Sequence, residues 1–273
     1  MRHAPPFVFL ADILSFAGDF ASFGAMSRLG AFVITGAGSG IGLAIAGKII
    51  EQGHKAFAIG RTAHKLEEAN RLYPRLKTCT ADLSSATDTE RAGQELTRWL
   101  AQENLPLLGL VNNAGIFERV SFAGSGDDLW LRSFDNNLLS AVRLSRHLLP
   151  WLKKAAPSSI LNISSTLGLR PIANTSAYSA MKSAMINWTQ SLALELASEQ
   201  IRVNCICPGI VDTPMHAFPT DPADPLRQRA DRSQPLGHIG QAVDIAEAAW
   251  FLLSEKSRWT TGSVLNVDGG INL

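Results

Sequence analysis

The chain has 273 residues, of which 46% are hydrophobic and 18% are charged, and its formal net charge is +1. This length and balance are typical of a globular protein with a full hydrophobic core, and they argue against disorder. The near-neutral charge provides no strongly basic surface, so we expect no nucleic-acid partner.

The first 25 residues, MRHAPPFVFLADILSFAGDFASFGA, differ in character from the rest of the chain. Asp12 and Asp19 interrupt their apolar runs, which makes the segment a poor signal peptide and too broken to span a bilayer. A compact domain would naturally begin at Met26. We therefore expect residues 1–25 to form an extension that is disordered or packs on a partner, residues 26–273 to form one domain, and the protein not to enter a membrane.

The cysteines and histidines give no sign of a metal site. Cys79, Cys205 and Cys207 lie within apolar runs, where small buried hydrophobic roles are expected, and the six histidines show no ligand spacing. We predict no bound metal. A reducing compartment fits three unpaired cysteines, so we expect a cytoplasmic protein.

From Ala31 onward, short apolar runs alternate with longer amphipathic ones. We predict strands at 31–35, 55–59, 76–80, 107–112, 159–163, 202–207 and 263–267. We predict helices at 41–52, 63–72, 87–102, 127–154, 175–199 and 241–254. Parallel strands need crossover connections, so this alternation predicts an α/β domain with helices on both faces of a parallel sheet.

A glycine-rich turn, Gly36-Ala37-Gly38-Ser39-Gly40-Ile41-Gly42, connects the first strand directly to the first helix. Glycine lets the backbone turn tightly and approach a pyrophosphate, whose charge the N-terminal amides of the helix then meet. In this strand-to-helix context the turn predicts a dinucleotide-binding site.

The end of the second strand bears on which dinucleotide is bound. An acidic residue there would bind the adenosine ribose hydroxyls, but Gly60 occupies the place and Arg61 follows it. A guanidinium suits a phosphate monoester, which favours NADP(H). The alternative is that Arg61 is only solvated and NAD(H) is accepted.

Two further turns follow the third and fourth strands. Asp82 and Leu83 could bracket an adenine, and Asn112-Asn113-Ala114-Gly115 combines amide side chains with small residues that permit close approach to a cofactor. Either turn could also be plain turn chemistry. Their positions at successive strand ends favour contacts with a cofactor.

Tyr178 and Lys182 are four residues apart in a segment of helical periodicity, so the two side chains lie on one helix face. An adjacent cation favours the phenolate, and such a tyrosine can donate and accept a proton. Ser165, together with Ser164, follows the strand 159–163, where its hydroxyl could orient a carbonyl oxygen.

Together these motifs resemble the short-chain dehydrogenase/reductase family across residues 28–273. The resemblance rests on the glycine-rich turn, Asp82, Asn112-Asn113-Ala114-Gly115, Asn137, Ser165, Tyr178-x-x-x-Lys182 and Pro208-Gly209-Ile210-Val211-Asp212-Thr213. It implies a single Rossmann-type, doubly wound domain with seven parallel strands in the order 3-2-1-4-5-6-7. The implied chemistry is reversible hydride transfer between a nicotinamide and a secondary alcohol or ketone.

The resemblance also assigns roles to individual residues. Ser165 would bind the substrate oxygen, Tyr178 would act as acid and base, and Lys182 would bind the nicotinamide ribose and lower the pKa of Tyr178. Asn137, or Asn136 if the register is one residue off, would hold a water molecule in a local helix distortion. The implied cofactor-binding set is Gly36, Ser39, Gly40, Ile41, Arg61, Asp82, Leu83, Asn113, Ala114, Gly115, Tyr178, Lys182, Pro208, Gly209, Ile210 and Thr213. One departure is Ser39, which stands where NADP-dependent members often have a basic residue.

Residues 213–240, rich in proline and charge, correspond to the family's substrate lid and imply a small-molecule alcohol or carbonyl substrate. Apolar contacts could come from Met215, His216, Phe218, Leu226 and Leu236. Arg227, Arg229 and Arg232 either meet an anionic group or form a solvated helix face.

The family usually forms homotetramers or homodimers, which would pair the helices at 127–154 and 175–199. The alternative function is a dinucleotide-binding regulator or scaffold without turnover. Such a protein has no need of Ser165, Tyr178 and Lys182 together, so the sequence favours an enzyme.

Overall fold

A computed structural model describes residues 28–216 and 218–273 of the chain. The predictions made for residues 1–25 therefore lie outside the described residues. Within the described part, seven strands form one parallel sheet in the order β3-β2-β1-β4-β5-β6-β9. The strands of this sheet are β1 (Ala31–Thr35), β2 (Lys55–Gly60), β3 (Leu76–Thr80), β4 (Leu107–Asn112), β5 (Ser158–Ile163), β6 (Ile201–Pro208) and β9 (Val264–Val267). Since β9 is the seventh strand of this sheet in chain order, the predicted fold and the predicted order 3-2-1-4-5-6-7 are confirmed.

Helices connect the strands and cover both faces of the sheet. They are α1 (Gly40–Glu51), α2 (Ala63–Leu72), α3 (Ala86–Glu103), α4 (Asp127–Phe134), α5 (Ser140–Lys154), α6 (Ser176–Leu196), α7 (Pro225–Arg232) and α8 (Ala242–Leu253). Every helix and strand predicted in the first 112 residues is present, with ends within one residue of the expectation. None of the described helices is long and apolar enough to cross a membrane.

The core has two layers because successive side chains of a strand point to opposite faces of the sheet. On one face, Ile34 of β1 belongs to a buried cluster with Ile45 of α1 and Ile245 of α8. On the other face, its neighbour Val33 belongs to a cluster formed with α3, α5 and α6, including Leu144. The central strands are therefore buried on both sides, as a parallel sheet requires. Cys79, Cys205 and Cys207 are buried and unpaired.

Two features differ from the sequence-based expectation. The helix predicted over 127–154 is interrupted by a π-helical segment, Asp135–Leu139, that separates α4 from α5. The region 213–240 contains α7, as expected for one short helix, but it is preceded by β7 (Val211–Asp212) and followed by β8 (Gly240–Gln241). These two strands form a separate parallel pair. The sequence did not predict them, because a strand of two residues is too short to show periodicity.

All strands of the main sheet run the same way, so their carboxyl ends share one edge. The turns that leave this edge are the glycine-rich turn after β1, Asp82 after β3, Asn113 after β4, Ser165 after β5 and Gly209 after β6. The fold thus gathers the separate sequence motifs at a single site.

Candidate active site

Helix α6 carries Tyr178 in its first turn and Lys182 one turn later, both on its buried face. The Tyr178 side chain is 9% exposed and Lys182 only 4%. The Lys182 Nζ lies 5.7 Å from the centroid of the Tyr178 ring and donates a hydrogen bond of 2.8 Å to the Ile163 carbonyl. The spacing of four residues therefore places a phenol and an ammonium side by side in a dry environment.

Ser165 stands at the end of β5 and completes this group. Its hydroxyl hydrogen-bonds with the Tyr178 phenol and also accepts a bond of 3.1 Å from the Leu167 amide. The neighbouring Ser164 hydroxyl donates a bond of 2.7 Å to the Lys182 carbonyl, which ties β5 to α6. Gly168 allows this closeness, because a Cβ there would lie 2.8 Å from the Lys182 carbonyl carbon.

The burial of the two side chains shifts their proton affinities in opposite directions. Burial raises the pKa of Tyr178 to about 12, and the hydrogen bond with Ser165 opposes this rise. Burial lowers the pKa of Lys182 to about 8. Desolvation of the phenolate therefore dominates the pKa of Tyr178, and the lowering by Lys182 that the resemblance implies stays a prediction. At neutral pH Tyr178 is a protonated phenol, the form that donates.

The π-helical segment brings Asn137 towards Lys182. The Asn137 Oδ1 accepts a bond of 2.9 Å from the Ile116 amide, and its Nδ2 donates to the Ser133 hydroxyl. A Cβ on Gly115 would lie 2.7 Å from the Asn137 Oδ1 and 3.6 Å from the Lys182 Nζ. Asn136 instead donates to the Arg132 carbonyl of its own helix.

The turns after β1 and β4 are bonded to each other. The Thr35 Oγ1 accepts bonds of 2.9 Å from the amides of both Asn113 and Ala114. The Asn113 Nδ2 in turn donates 2.9 Å to the Thr35 carbonyl and 3.3 Å to the Gly36 carbonyl. These bonds hold the glycine-rich turn open against β4.

A cavity of about 450 Å³ runs along the carboxyl edge of the sheet. Of the predicted cofactor-binding residues it is lined by Gly36, Ser39, Gly40, Ile41, Arg61, Asp82, Leu83, Asn113, Ala114, Gly115 and Thr213. Tyr178, Lys182, Pro208, Gly209 and Ile210 are not in its wall. Tyr178 nevertheless borders it through Phe117, which lines the cavity and meets the Tyr178 ring at a centroid distance of 4.9 Å.

Several lining residues were not predicted, among them Thr62, Lys65, Ser84 and Phe117. Gly38 lies in the predicted glycine-rich turn, and Asn136 was the alternative to Asn137. Lys65 lies four residues after Arg61, and a Cβ on Gly38 would be 3.2 Å from the Lys65 Cβ. That spacing from Arg61, at the start of a predicted helix, was the signal that could have identified it. Phe117 lies in an irregular loop, where periodicity gives no information.

Three rings extend outward from Tyr178, and we call Phe117, His216 and Phe218 the aromatic row. Phe117 stands edge-on to Tyr178, its centroid is 5.8 Å from that of His216, and His216 is 5.6 Å from Phe218. The row joins the loop after β4 to the segment after β7.

Arg227 of α7 has a structural partner rather than a free charge. Its Nη1 donates 2.9 Å to the Asp212 Oδ2 and its Nε donates 3.2 Å to the Asp231 Oδ2. The two alternatives for this arginine, an anion-binding group or a solvated face, are both wrong, because it pairs with two carboxylates inside the protein. Arg229 and Arg232 are exposed.

Comparison with known proteins agrees with this geometry. Residues 36–272 match the family model described as enoyl-(acyl carrier protein) reductase. The chain is 32% identical over 241 residues to the 3-oxoacyl-[acyl-carrier-protein] reductase of Chlamydia trachomatis, covering 88% of this chain and 96% of the relative. It is also 32% identical to the L-xylulose reductase of Bos taurus over 239 residues, covering 87% and 94%.

Among solved structures, the chain is similar to the 3-ketoacyl-(acyl-carrier-protein) reductase of Brucella melitensis complexed with NADH. The TM-score is 0.81 at 29% identity, covering 90% of this chain and 99% of that chain. The matches span the glycine-rich turn, the Ser165, Tyr178 and Lys182 group and the strands that carry them. The chain therefore belongs to the short-chain dehydrogenase/reductase family, which consists of nicotinamide-dependent oxidoreductases.

Proposed function

We propose that the protein interconverts a ketone and a secondary alcohol with NADP(H), and that Ser165, Tyr178, Lys182 and Asn137 are the residues that carry the reaction. The observation that supports this most is the convergence of a hydroxyl, a protonated phenol and a buried ammonium beside the dinucleotide-sized cavity. The relatives are named as reductases of a 3-oxoacyl group and of a sugar, which supports the carbonyl class.

The residues present fit a dinucleotide. Gly36 and Gly40 have positive φ angles of 66° and 56°, and a Cβ on Gly42 would lie 2.5 Å from the Gly36 carbonyl oxygen. No side chain therefore covers the backbone at these glycines at the start of α1, where amide groups and the helix dipole favour an anion such as a pyrophosphate. Asp82 and Leu83 border the adenine end of the cavity, and Gly115 and Thr213 border its other end.

In the direction of reduction, the substrate carbonyl oxygen accepts hydrogen bonds from Ser165 and Tyr178. The bound nicotinamide supplies the hydride that reaches the carbonyl carbon. Tyr178 gives its proton to the oxygen as negative charge develops there, and the resulting phenolate is stabilised by the Lys182 ammonium. In the reverse direction the phenolate accepts the alcohol proton.

After Tyr178 has donated its proton, a new proton must reach it from solvent, and Lys182 lies next to it on that route. The Asn137 side chain holds the Ile116 amide, and Gly115 lies between Asn137 and Lys182 with no side chain in the way. We infer that the π-helical segment keeps this space open for a water molecule. Asn137 is then a positioning residue for the proton route.

The pH dependence of reduction follows from the two pKa values. We expect kcat to be constant from about pH 6 to 7 and to fall as the pH rises through about 8, where Lys182 loses its proton. Tyr178, with a pKa of about 12, stays protonated throughout and does not cause the fall. Initial rates at saturating substrate, with circular dichroism at each pH as the control for folding, measure this. A kcat that rises through pH 8 would contradict the role of the Lys182 charge.

The cavity supports NADP(H) over NAD(H). Arg61, Thr62 and Lys65 line it together beside Ser39, where a 2′-phosphate on the adenosine ribose would lie. Arg61 and Lys65 place two cations at this part of the cavity. Lys65 thus provides the basic side chain that NADP-dependent members often have at the position of Ser39.

We expect Arg61→Ala to raise the KM for NADPH about 10- to 100-fold, as the loss of a charge-assisted hydrogen bond implies. The KM for NADH should change less than about twofold. Arg71→Ala, which removes an exposed arginine from α2, the helix that follows Arg61, is the matched control. If the unmodified protein prefers NADH, the Arg61 assignment fails.

The proposed activity is tested by following nicotinamide absorbance during incubation of the protein with NADPH and simple ketones. We expect one alcohol to form for each NADPH consumed. A dinucleotide-binding regulator would bind NADPH and show no such change.

We propose a homodimer or homotetramer that pairs α4 and α5 and, separately, α6 with their counterparts in a second copy. Leu131, Phe134 and Leu194 on these helices are exposed apolar side chains, which favours burial between subunits. Light scattering distinguishes these assemblies from a monomer. We also propose that residues 213–240 form a lid over the substrate, that residues 1–25 are an extension to the domain formed by residues 26–273, and that the protein is cytoplasmic, as its buried unpaired cysteines support.

A further inference from the structure

We propose that the aromatic row binds an uncharged, flat apolar substituent of the substrate, so that the preferred ketones carry an aromatic ring next to the carbonyl group. This inference rests on the proposed function, because it takes Tyr178 as the group that meets the carbonyl oxygen. It adds the class of substrate and assigns Phe117, with His216 and Phe218, as the residues that select it.

The geometry of the row supports this choice. Successive ring centroids, starting from Tyr178, are 4.9, 5.8 and 5.6 Å apart, with interplanar angles of 78°, 60° and 32°. Aromatic pairs attract at centroid distances of about 4.5–7 Å in edge-to-face or offset arrangements. Because Phe117 contacts the Tyr178 ring directly, a ring bonded to a carbonyl at the Tyr178 hydroxyl would have an aromatic side chain as its neighbour.

The surroundings of the row are apolar as well. Five exposed apolar side chains belong to the two segments that follow Ser165 and β7, namely Leu169, Ile172, Met215, Leu226 and Leu236. Met215 also lines the cavity, directly before His216 in the chain. Exposed apolar side chains on the segments that lead away from Ser165 and β7 favour an apolar ligand over a polar one.

Charge at this end of the site does not favour an anion. Arg227 is only 17% exposed and bonds to Asp212 and Asp231. Glu118, next to Phe117, pairs with Arg132 at 3.1 Å. Arg119, two residues after Phe117, and Arg229 and Arg232 of α7 are exposed, and among the described residues none of the three forms a hydrogen bond or a ring contact with the row. We therefore infer a neutral substituent.

The experiment compares kcat/KM for NADPH-linked reduction of four methyl ketones. Acetophenone presents a flat ring, cyclohexyl methyl ketone a saturated ring of similar size, 2-butanone a small chain, and acetoacetate an anion. We expect kcat/KM for acetophenone to exceed the values for 2-butanone and acetoacetate by about tenfold or more, and that for cyclohexyl methyl ketone by a few-fold.

Phe117→Leu keeps an apolar side chain but removes the ring. We expect it to lower kcat/KM for acetophenone about tenfold, mainly through KM, and to change that for 2-butanone by less than twofold. Phe122→Leu is the matched control, because Phe122 is 78% exposed and has no ring contact with the row among the described residues. Equal loss for both ketones in Phe117→Leu would assign Phe117 a purely structural role and overturn the proposal.

Two other outcomes also decide the matter. A preference for acetoacetate would overturn the proposal and point to Arg229 and Arg232. If no ketone is reduced, the proposed function fails, and saturation-transfer NMR then tests the row separately. Acetophenone binding that is present in the unmodified protein and lost in Phe117→Leu would support the row, and equal binding or none would refute it.

Discussion

Replacing Tyr178 with phenylalanine is expected to lower kcat for ketone reduction about 10²–10⁴-fold, the range that a positioned general acid contributes. The variant keeps the ring and therefore its contact with Phe117, whose centroid is 4.9 Å away. Only the hydroxyl that hydrogen-bonds with Ser165 is lost. Because Tyr178 is absent from the cavity wall, the Kd for NADPH should stay within about threefold of the unmodified value.

Rapid-reaction and steady-state kinetics measure the first quantity, and fluorescence titration of NADPH measures the second. Ser165→Ala should fall in the same direction by a smaller factor, since it removes an orienting group and leaves the proton donor. A Tyr178→Phe variant with near-normal kcat would refute the acid role and leave the protein as a binder of dinucleotides.

The second large effect is expected from Gly42→Ala. An added Cβ would lie 2.5 Å from the Gly36 carbonyl oxygen and 2.6 Å from the Asn113 Nδ2, distances that the backbone of the turn cannot absorb without moving. Overpacking of this kind costs about 1–3 kcal/mol, which as lost binding free energy raises the Kd for NADPH about 5- to 140-fold.

Gly126→Ala is the matched control, because a Cβ there meets nothing within 4 Å. Calorimetric titration gives both Kd values, and thermal unfolding separates loss of binding from loss of the fold. Unchanged NADPH affinity in a folded Gly42→Ala protein would show that the glycine-rich turn does not receive the dinucleotide.

The sequence predicted the sheet and most of the residues that the cavity gathers, because both depend on short-range patterns. One stretch of chain shows a strand followed directly by Gly36-Ala37-Gly38, and another shows a helix that carries Tyr178 and Lys182 four residues apart. The parallel topology then brings the stretches together without further information. The one-residue accuracy of strand ends such as Thr35 and Asn112 follows from the turn residues that stop them.

What the sequence could not predict depends on contacts between distant residues. The pKa of Tyr178 is raised because its ring is buried among side chains from several elements, whereas the sequence shows only its neighbour Lys182. Arg227 pairs with Asp212, fifteen residues earlier, through the fold of the segment between them. Phe117 meets His216 across nearly one hundred residues, and no periodicity connects them.

The ion pair between Arg227 and Asp212 links α7 to the strand that leads into the cavity wall. Asp212 directly precedes Thr213, which lines the cavity, while Arg227 belongs to α7, within the segment that we propose as the substrate lid. A shift of α7 would therefore move Asp212 and the adjacent cavity wall, and a movement of the wall would shift α7. Were the dinucleotide and the substrate to bind at these two places, the link would couple their affinities, and reciprocity requires that each alters the affinity for the other by the same factor.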